Sequence, residues 1–89
     1  MTTDALSCFY VGAATVGLLL DNVRMVLRAV STLPTSPDAR RLTDKALECE
    51  RAIVKWDTTP PDAIQRMGMH ERVLLLYSDL SKLKKVGLP

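Results

Sequence analysis

Apolar residues recur along most of the chain at alternating steps of three and four residues, which is the spacing of one face of an α-helix. The middle third shows this most clearly, because the positions between its apolar residues are mostly charged. Its stripe consists of Ala39, Leu42, Ala46, Cys49, Ile53 and Trp56. The pattern predicts an amphipathic outer helix over residues 37–57, with one face in the core and the other in water.

The charged face of this middle helix carries acids and bases three residues apart, a spacing that allows weak pairs on one helix. The predicted pairs are Arg41 with Asp44, Lys45 with Glu48, and Glu48 with Arg51. We interpret this charge run as an ordinary solvated surface.

The last third carries a broader apolar face. Its main stripe is Met69, Val73, Leu76, Leu80 and Leu83, and a second stripe beside it holds Met67, Leu74 and Tyr77. This predicts a helix over residues 60–86 that touches two neighbours. Because glycine is a poor helix former, Gly68 raises an alternative in which a short helix over 61–67 ends there and a fourth begins at Met69.

The first third differs from both, because no charge occurs between Ala5 and Leu20. The predicted helix, over residues 4–33, becomes amphipathic only later, where Asp21, Arg24 and Arg28 share a face. That face continues backwards through Gly17, Ala14, Tyr10 and Ser7, which are small or weakly polar. The first half of this helix therefore has no properly wet side, whereas the second and third helices are expected to be self-sufficient outer layers.

Two proline-containing segments, 33–38 and 57–62, separate the three predicted helices. Ser36 and Thr59 are placed to cap the helices that follow, and Pro37 and Pro60 to occupy their first turns. Helices joined by such short turns run roughly antiparallel. The sequence therefore predicts an all-α, three-helix up-down bundle, with four helices as the alternative, and a single domain over residues 1–89.

Composition narrows the functional classes. Of the 89 residues, 47% are hydrophobic, 25% charged and 4% aromatic, and the net charge is +2, which argues against both a disordered chain and a strongly basic nucleic-acid binder. The two cysteines, Cys8 and Cys49, show no C-x-x-C spacing, and Asp4 stands where a secretory signal would carry Lys or Arg. We therefore expect buried thiols in a cytoplasmic protein. Cys8 would join two copies only if their first helices met near it.

No catalytic, cofactor or metal site is predicted. His70 is the only histidine, and Glu48 and Glu50 lie two positions apart on a helix, so they point in different directions. The methionines Met25, Met67 and Met69 are expected to fill the core rather than line a ligand site. A helix-turn-helix around Gly68 is disfavoured as a DNA reader, because the lysines cluster at the tail.

The function hypotheses rest on the uncharged first segment. A membrane-spanning helix needs about 20 apolar residues, and this run is bracketed by Asp4 and Asp21. The leading hypothesis is a non-enzymatic helical interaction module, such as an adaptor, chaperone-like or regulatory protein, that dimerises through its first helix and also meets a protein partner. The predicted interface is Phe9, Gly12, Ala13, Val16, Gly17 and Leu20. The alternatives are core packing within one chain, and a membrane-attached accessory protein that inserts residues 5–20.

Overall fold

Three α-helices form the part of the protein that the computed structural model describes, which is residues 15–86. We number them α1 (Val16–Ser31), α2 (Pro37–Lys55) and α3 (Ala63–Val86). Each helix packs against both of the others. The prediction of an all-α three-helix bundle is therefore confirmed.

Helix α1 starts later than predicted. Thr15 has an extended backbone, with φ −88° and ψ 165°, and its side-chain oxygen accepts a hydrogen bond from the Leu18 amide at 3.1 Å. This is an N-cap, in which a short hydroxyl side chain replaces the missing backbone acceptor of the first turn. The prediction of one unbroken helix over residues 4–33 is therefore wrong at residue 15.

Helix α2 begins as predicted. The Ser36 hydroxyl oxygen accepts a hydrogen bond from the Ala39 amide at 3.1 Å, and Pro37 is the first helical residue. Proline suits that position because its fixed φ is helical and its missing N–H has no partner there. The helix ends at Lys55, two residues before the predicted end at 57.

Helix α3 begins three residues later than predicted. Asp62 caps it: its carboxylate accepts from the Gln65 amide at 2.7 Å, and the Gln65 side-chain oxygen accepts from the Asp62 amide at 3.0 Å. The predicted helix start at Pro60, with Thr59 as its cap, is wrong. Pro60 precedes Pro61, and a residue before a proline is disfavoured in helical geometry. The reciprocal bonds of Asp62 and Gln65 form a capping box instead.

Helix α3 continues without interruption through Gly68, so the alternative in which a short helix ends there and a fourth begins at Met69 is wrong. Two ion pairs set its direction: Lys45 meets Asp79, and further along α2, Glu48 meets Arg72. Residue numbers thus rise along α2 as they fall along α3, so these helices are antiparallel. Since a short turn reverses the chain between α1 and α2, α1 and α3 run in the same direction.

The core lies between the three helices and is almost entirely aliphatic. The predicted stripes of α2 and α3 are confirmed in it, with Trp56 and Leu83 partly buried at the ends. Its buried apolar residues are Leu19, Val23, Val26 and Val30 from α1, Ala39, Leu42, Ala46, Cys49 and Ile53 from α2, and Met69, Val73, Leu76 and Leu80 from α3. This continuous apolar interior fixes which helix faces remain outside.

Candidate interaction surfaces

The first turns of α1 hold three of the six predicted interface residues. Val16 and Leu20 are partly buried and pack against the chain's own core. Gly17 points outward, and a Cβ added there would meet only the Thr15 side-chain oxygen at 3.9 Å. Val16 and Leu20 thus already serve the bundle, and only Gly17 of the three has open space around it. The other predicted residues, Phe9, Gly12 and Ala13, lie outside the described residues.

The beginning of α1 also bears on the membrane alternative. Leu19 is completely buried, and Leu18 and Leu20 pack partly against the same core. The last third of the segment 5–20 therefore belongs to the bundle. Over residues 15–86, none of the helices combines the length and the apolar character needed to cross a bilayer.

Of the five large apolar side chains that are exposed among the described residues, three lie on the outer face of α3. Ile64 is 81% exposed, Met67 64% and Leu75 65%. With Gly68 they occupy positions 64, 67, 68 and 75, a helical spacing that places them on the side opposite the buried stripe. We call these four residues the outer stripe. Between residues 64 and 75 the outer side of α3 is thus mainly apolar, with Glu71 as its charged residue, whereas a surface helix usually turns a polar face to water.

Gly68 forms a notch in the outer stripe. Its backbone is helical, and a Cβ built on it would meet no atom within 4 Å. Glycine inside a helix costs about 1 kcal/mol relative to alanine. Nothing within residues 15–86 crowds this position, so the packing of the bundle does not require a glycine here.

The outer face of α2 is different, because its charges reach sideways to the neighbouring helices. Three ion pairs join it to the other helices: Glu50 with Arg24 of α1 at 3.1 Å, Lys45 with Asp79 at 3.7 Å, and Glu48 with Arg72 at 4.0 Å. A fourth, Arg41 with Asp38 at 3.1 Å, lies within α2. The predicted pairs within the helix are absent from the ion pairs of the described residues. Long side chains at the edges of a helix face reach an opposite charge on the next helix as easily as one on their own.

Two grooves run between α2 and α3, and both have charged rims. The larger, about 430 Å³, is lined by Lys45, Glu48, Cys49, Arg72, Leu75, Leu76 and Asp79. Cys49 lies at its buried side with 1% exposure, and burial raises the pKa of its thiol, against a smaller lowering by the Arg72 charge. Cys49 is therefore a buried core thiol, as predicted. Cys8 lies outside the described residues.

One polar contact crosses the core and was missed by the sequence analysis. Asn22 is 1% exposed; its amide nitrogen donates to the Leu18 carbonyl at 2.8 Å, and its side-chain oxygen accepts from the Tyr77 hydroxyl at 2.6 Å. Burial also raises the pKa of Tyr77. A buried amide with both groups bonded fixes the register of two helices. The available signal was the position of Asn22 within the stripe formed by Leu19, Val23 and Val26.

The methionine prediction is only partly right. Met69 is buried as core filler, but Met25 is 53% exposed and Met67 lies on the outer stripe. Met25 lies beside the buried polar contact, with its sulfur 3.9 Å from the Tyr77 hydroxyl. Flexible methionine side chains on a surface adapt to the shape of a bound partner.

Side chains suited to metal binding do not cluster in the described part of the chain. No group of three or more His, Cys, Asp or Glu side chains there could hold a metal ion. His70, the only histidine of the chain, is partly buried on α3. The surfaces that distinguish this molecule are therefore the outer stripe and the start of α1.

Comparison with known proteins found no matching family model, no matching curated protein and no matching solved structure.

Proposed function

We propose that this protein is a non-enzymatic helical interaction module that forms a homodimer and uses its remaining apolar surface to meet a protein partner. The observation that carries the proposal is the outer stripe, where three large apolar side chains are each more than 60% exposed on a helix whose other side is fully packed. A cluster of exposed large apolar side chains, here interrupted by one charged residue, Glu71, is typical of a contact surface.

The uncharged N-terminal segment supports the same proposal. Residues 5–14 contain no charged side chain, and α1 begins only after them, at the Thr15 cap. A bundle of three helices of this length has a thin core. Burial of both apolar regions against a second copy would add to that core.

Sedimentation equilibrium of the full chain over a range of concentrations tests the proposal. We expect a monomer–dimer equilibrium in the wild type, and Gly17→Leu to shift it toward the monomer. The variant Val16→Asp should also yield monomer, but Val16 packs against the core, so its folding must be checked by circular dichroism. Gly17→Leu is the cleaner variant because its position is open within one chain.

Arg28→Leu is the matched control, because Arg28 is exposed on the same side of α1, three turns further along. It places the same side chain on the same face, away from the predicted contact, and should leave the dimer unchanged. A wild type that remains monomeric at high concentration, or a dimer that Gly17→Leu does not weaken, would contradict self-association through the first helix.

A further inference from the structure

The outer stripe lies at the same end of the bundle as the start of α1. The hydrogen bond between Asn22 and Tyr77 sets the relative level of the two parallel helices. Thr15 precedes Asn22 by as many positions as His70 precedes Tyr77. Along the bundle axis, Thr15 therefore lies at about the same height as His70. The outer stripe, from Ile64 to Leu75, extends to both sides of that level.

The N-terminal segment matches the outer stripe in length and chemistry. The stripe covers about 16 Å along α3 at 1.5 Å per residue, and ten residues extend over about 15 Å as a helix or about 33 Å as an extended chain. Residues 5–14 include the apolar side chains Leu6, Phe9 and Val11 and carry no charge. Glu71 is the charged residue within the stripe, and residues 5–14 contain no acid that would repel it. The hydroxyls of Ser7 and Tyr10 can donate hydrogen bonds to its carboxylate.

The same chain cannot cover the whole of its own stripe, because Ile64, Gly68 and Leu75 lie on the side of α3 turned away from Tyr77, which contacts α1. To reach it, the segment would have to pass half-way around α3, a path of roughly 25 Å that uses about eight residues. Too few of the uncharged residues would then remain to cover the stripe. A segment supplied by a second molecule has no such path to follow.

We infer that residues 5–14 of one copy dock on the outer stripe of a second copy, and that two copies exchange these segments in a closed dimer. This inference rests on the proposed function and names the surface that receives the first segment. The Gly68 notch, between Ile64, Met67 and Leu75, accepts an apolar side chain of the incoming segment. An exchange of identical segments produces a symmetric dimer without a further exposed edge.

Disulfide trapping tests the inference, because the natural Cys8 lies inside the proposed docking segment. The wild-type chain is mixed with a chain that carries Cys8→Ser and Met67→Cys, and the mixture is oxidised gently. We expect an interchain disulfide between Cys8 and position 67, identified by peptide mapping. It should form at least about tenfold faster than with the control, since docking raises the effective concentration of the two thiols.

The control chain carries Cys8→Ser and Asp44→Cys, which puts an exposed thiol on the outer face of α2. If positions 67 and 44 react equally while the wild type sediments as a dimer, the docking surface is wrong and the proposed dimer stands. If the wild type is monomeric, the docking surface and the proposed dimer are both wrong.

Two further outcomes would overturn the docking of a second copy. A chain with natural Cys8 and Met67→Cys that closes an internal disulfide as a monomer would place the segment on its own α3. Retention of the wild type on phosphatidylcholine vesicles, with loss of the dimer, would assign the segment to a membrane surface.

Discussion

The outer faces of α2 and α3 contrast, although their inner faces are alike. Both helices bury an apolar stripe in the same core. On the outside, α2 carries charges paired with its neighbours, whereas α3 exposes Ile64, Met67 and Leu75. The inner stripes account for the bundle, and the outer faces show which helix is suited to a further contact.

On α3, the residues expected to determine folding stability differ from those expected to determine self-association. On α3 the buried and exposed apolar residues are neighbours in sequence, as with Leu75 and Leu76. Substitutions on one side should change the free energy of unfolding, and those on the other should change self-association. Unfolding is therefore compared at protein concentrations where the chain is monomeric, because dimerisation adds to apparent stability.

The largest expected effect separates Leu76 from Leu75. Leu76 is 3% exposed and Leu75 65% exposed. Leu76→Ala should lower the free energy of unfolding by about 2–4 kcal/mol through lost burial and a cavity, and Leu75→Ala by less than about 0.5 kcal/mol. Urea denaturation of the two variants measures this difference. Equal losses would show that the two sides of α3 are not distinct.

The next effect concerns the polar contact inside the core. Tyr77→Phe should destabilise the monomer by about 1–2 kcal/mol, because it leaves the buried Asn22 oxygen without its donor. Urea denaturation at neutral pH measures the loss. A neutral result would mean that the contact does not contribute to stability.

The same pair gives a pH dependence with a defined sign. Burial raises the pKa of Tyr77 in the folded state above its ordinary value of 10.0. The folded state therefore holds the phenolic proton more strongly, and its contribution is complete below pH 10 and is lost as the pH rises through the raised pKa. The stability advantage of wild type over Tyr77→Phe should shrink over that interval. An advantage that stays constant above pH 10 would contradict the burial of the hydroxyl.

A smaller effect distinguishes the two candidate caps of α3. Asp62→Ala should cost about 1 kcal/mol, because it removes the acceptor for the Gln65 amide. Thr59→Ala should cost less than about 0.5 kcal/mol, since Thr59 lies outside the helix. Thermal denaturation of both variants decides between them, and a larger loss for Thr59→Ala would restore the start predicted from sequence.

The smallest effect belongs to the outer face of α2. A double-mutant cycle with Lys45→Gln and Asp79→Asn should give a coupling energy below about 0.5 kcal/mol, because exposed ion pairs are weak. The side chains of this pair are 55% and 39% exposed. A coupling of several times that size would mean that the charges of α2 hold the bundle together.

The sequence predicted the inside of this molecule better than its outside. The helical periods of α2 and α3 located the core stripes, since burial on one side leaves a repeat in the sequence. Ser36 and Pro37 located the start of α2, because the cap hydroxyl and the proline act within one turn. At Asp62 the choice between neighbouring polar residues depended on hydrogen bonds that spacing does not specify. The cap at Thr15 was missed because it interrupts an uncharged run that contains no proline.

The outer stripe was missed for a different reason. The second predicted stripe joined Met67 to Leu74 and Tyr77, whereas the structure buries part of Leu74 and Tyr77 and exposes Met67. A broad apolar pattern does not say which edge faces a neighbour, since that depends on where two other helices cross. Asn22 was missed for the same reason, because its partner is 55 residues away in α3.

Gly68→Ala tests the central claim most directly, because its two effects have opposite signs. The added methyl group meets no atom within 4 Å in one chain, so the monomer should gain about 1 kcal/mol of stability. In the dimer the same methyl group fills the notch that receives the incoming segment. Sedimentation equilibrium should therefore show that Gly68→Ala associates more weakly than the wild type, although its monomer is more stable. Association that is unchanged or stronger would contradict the outer stripe as the dimer contact.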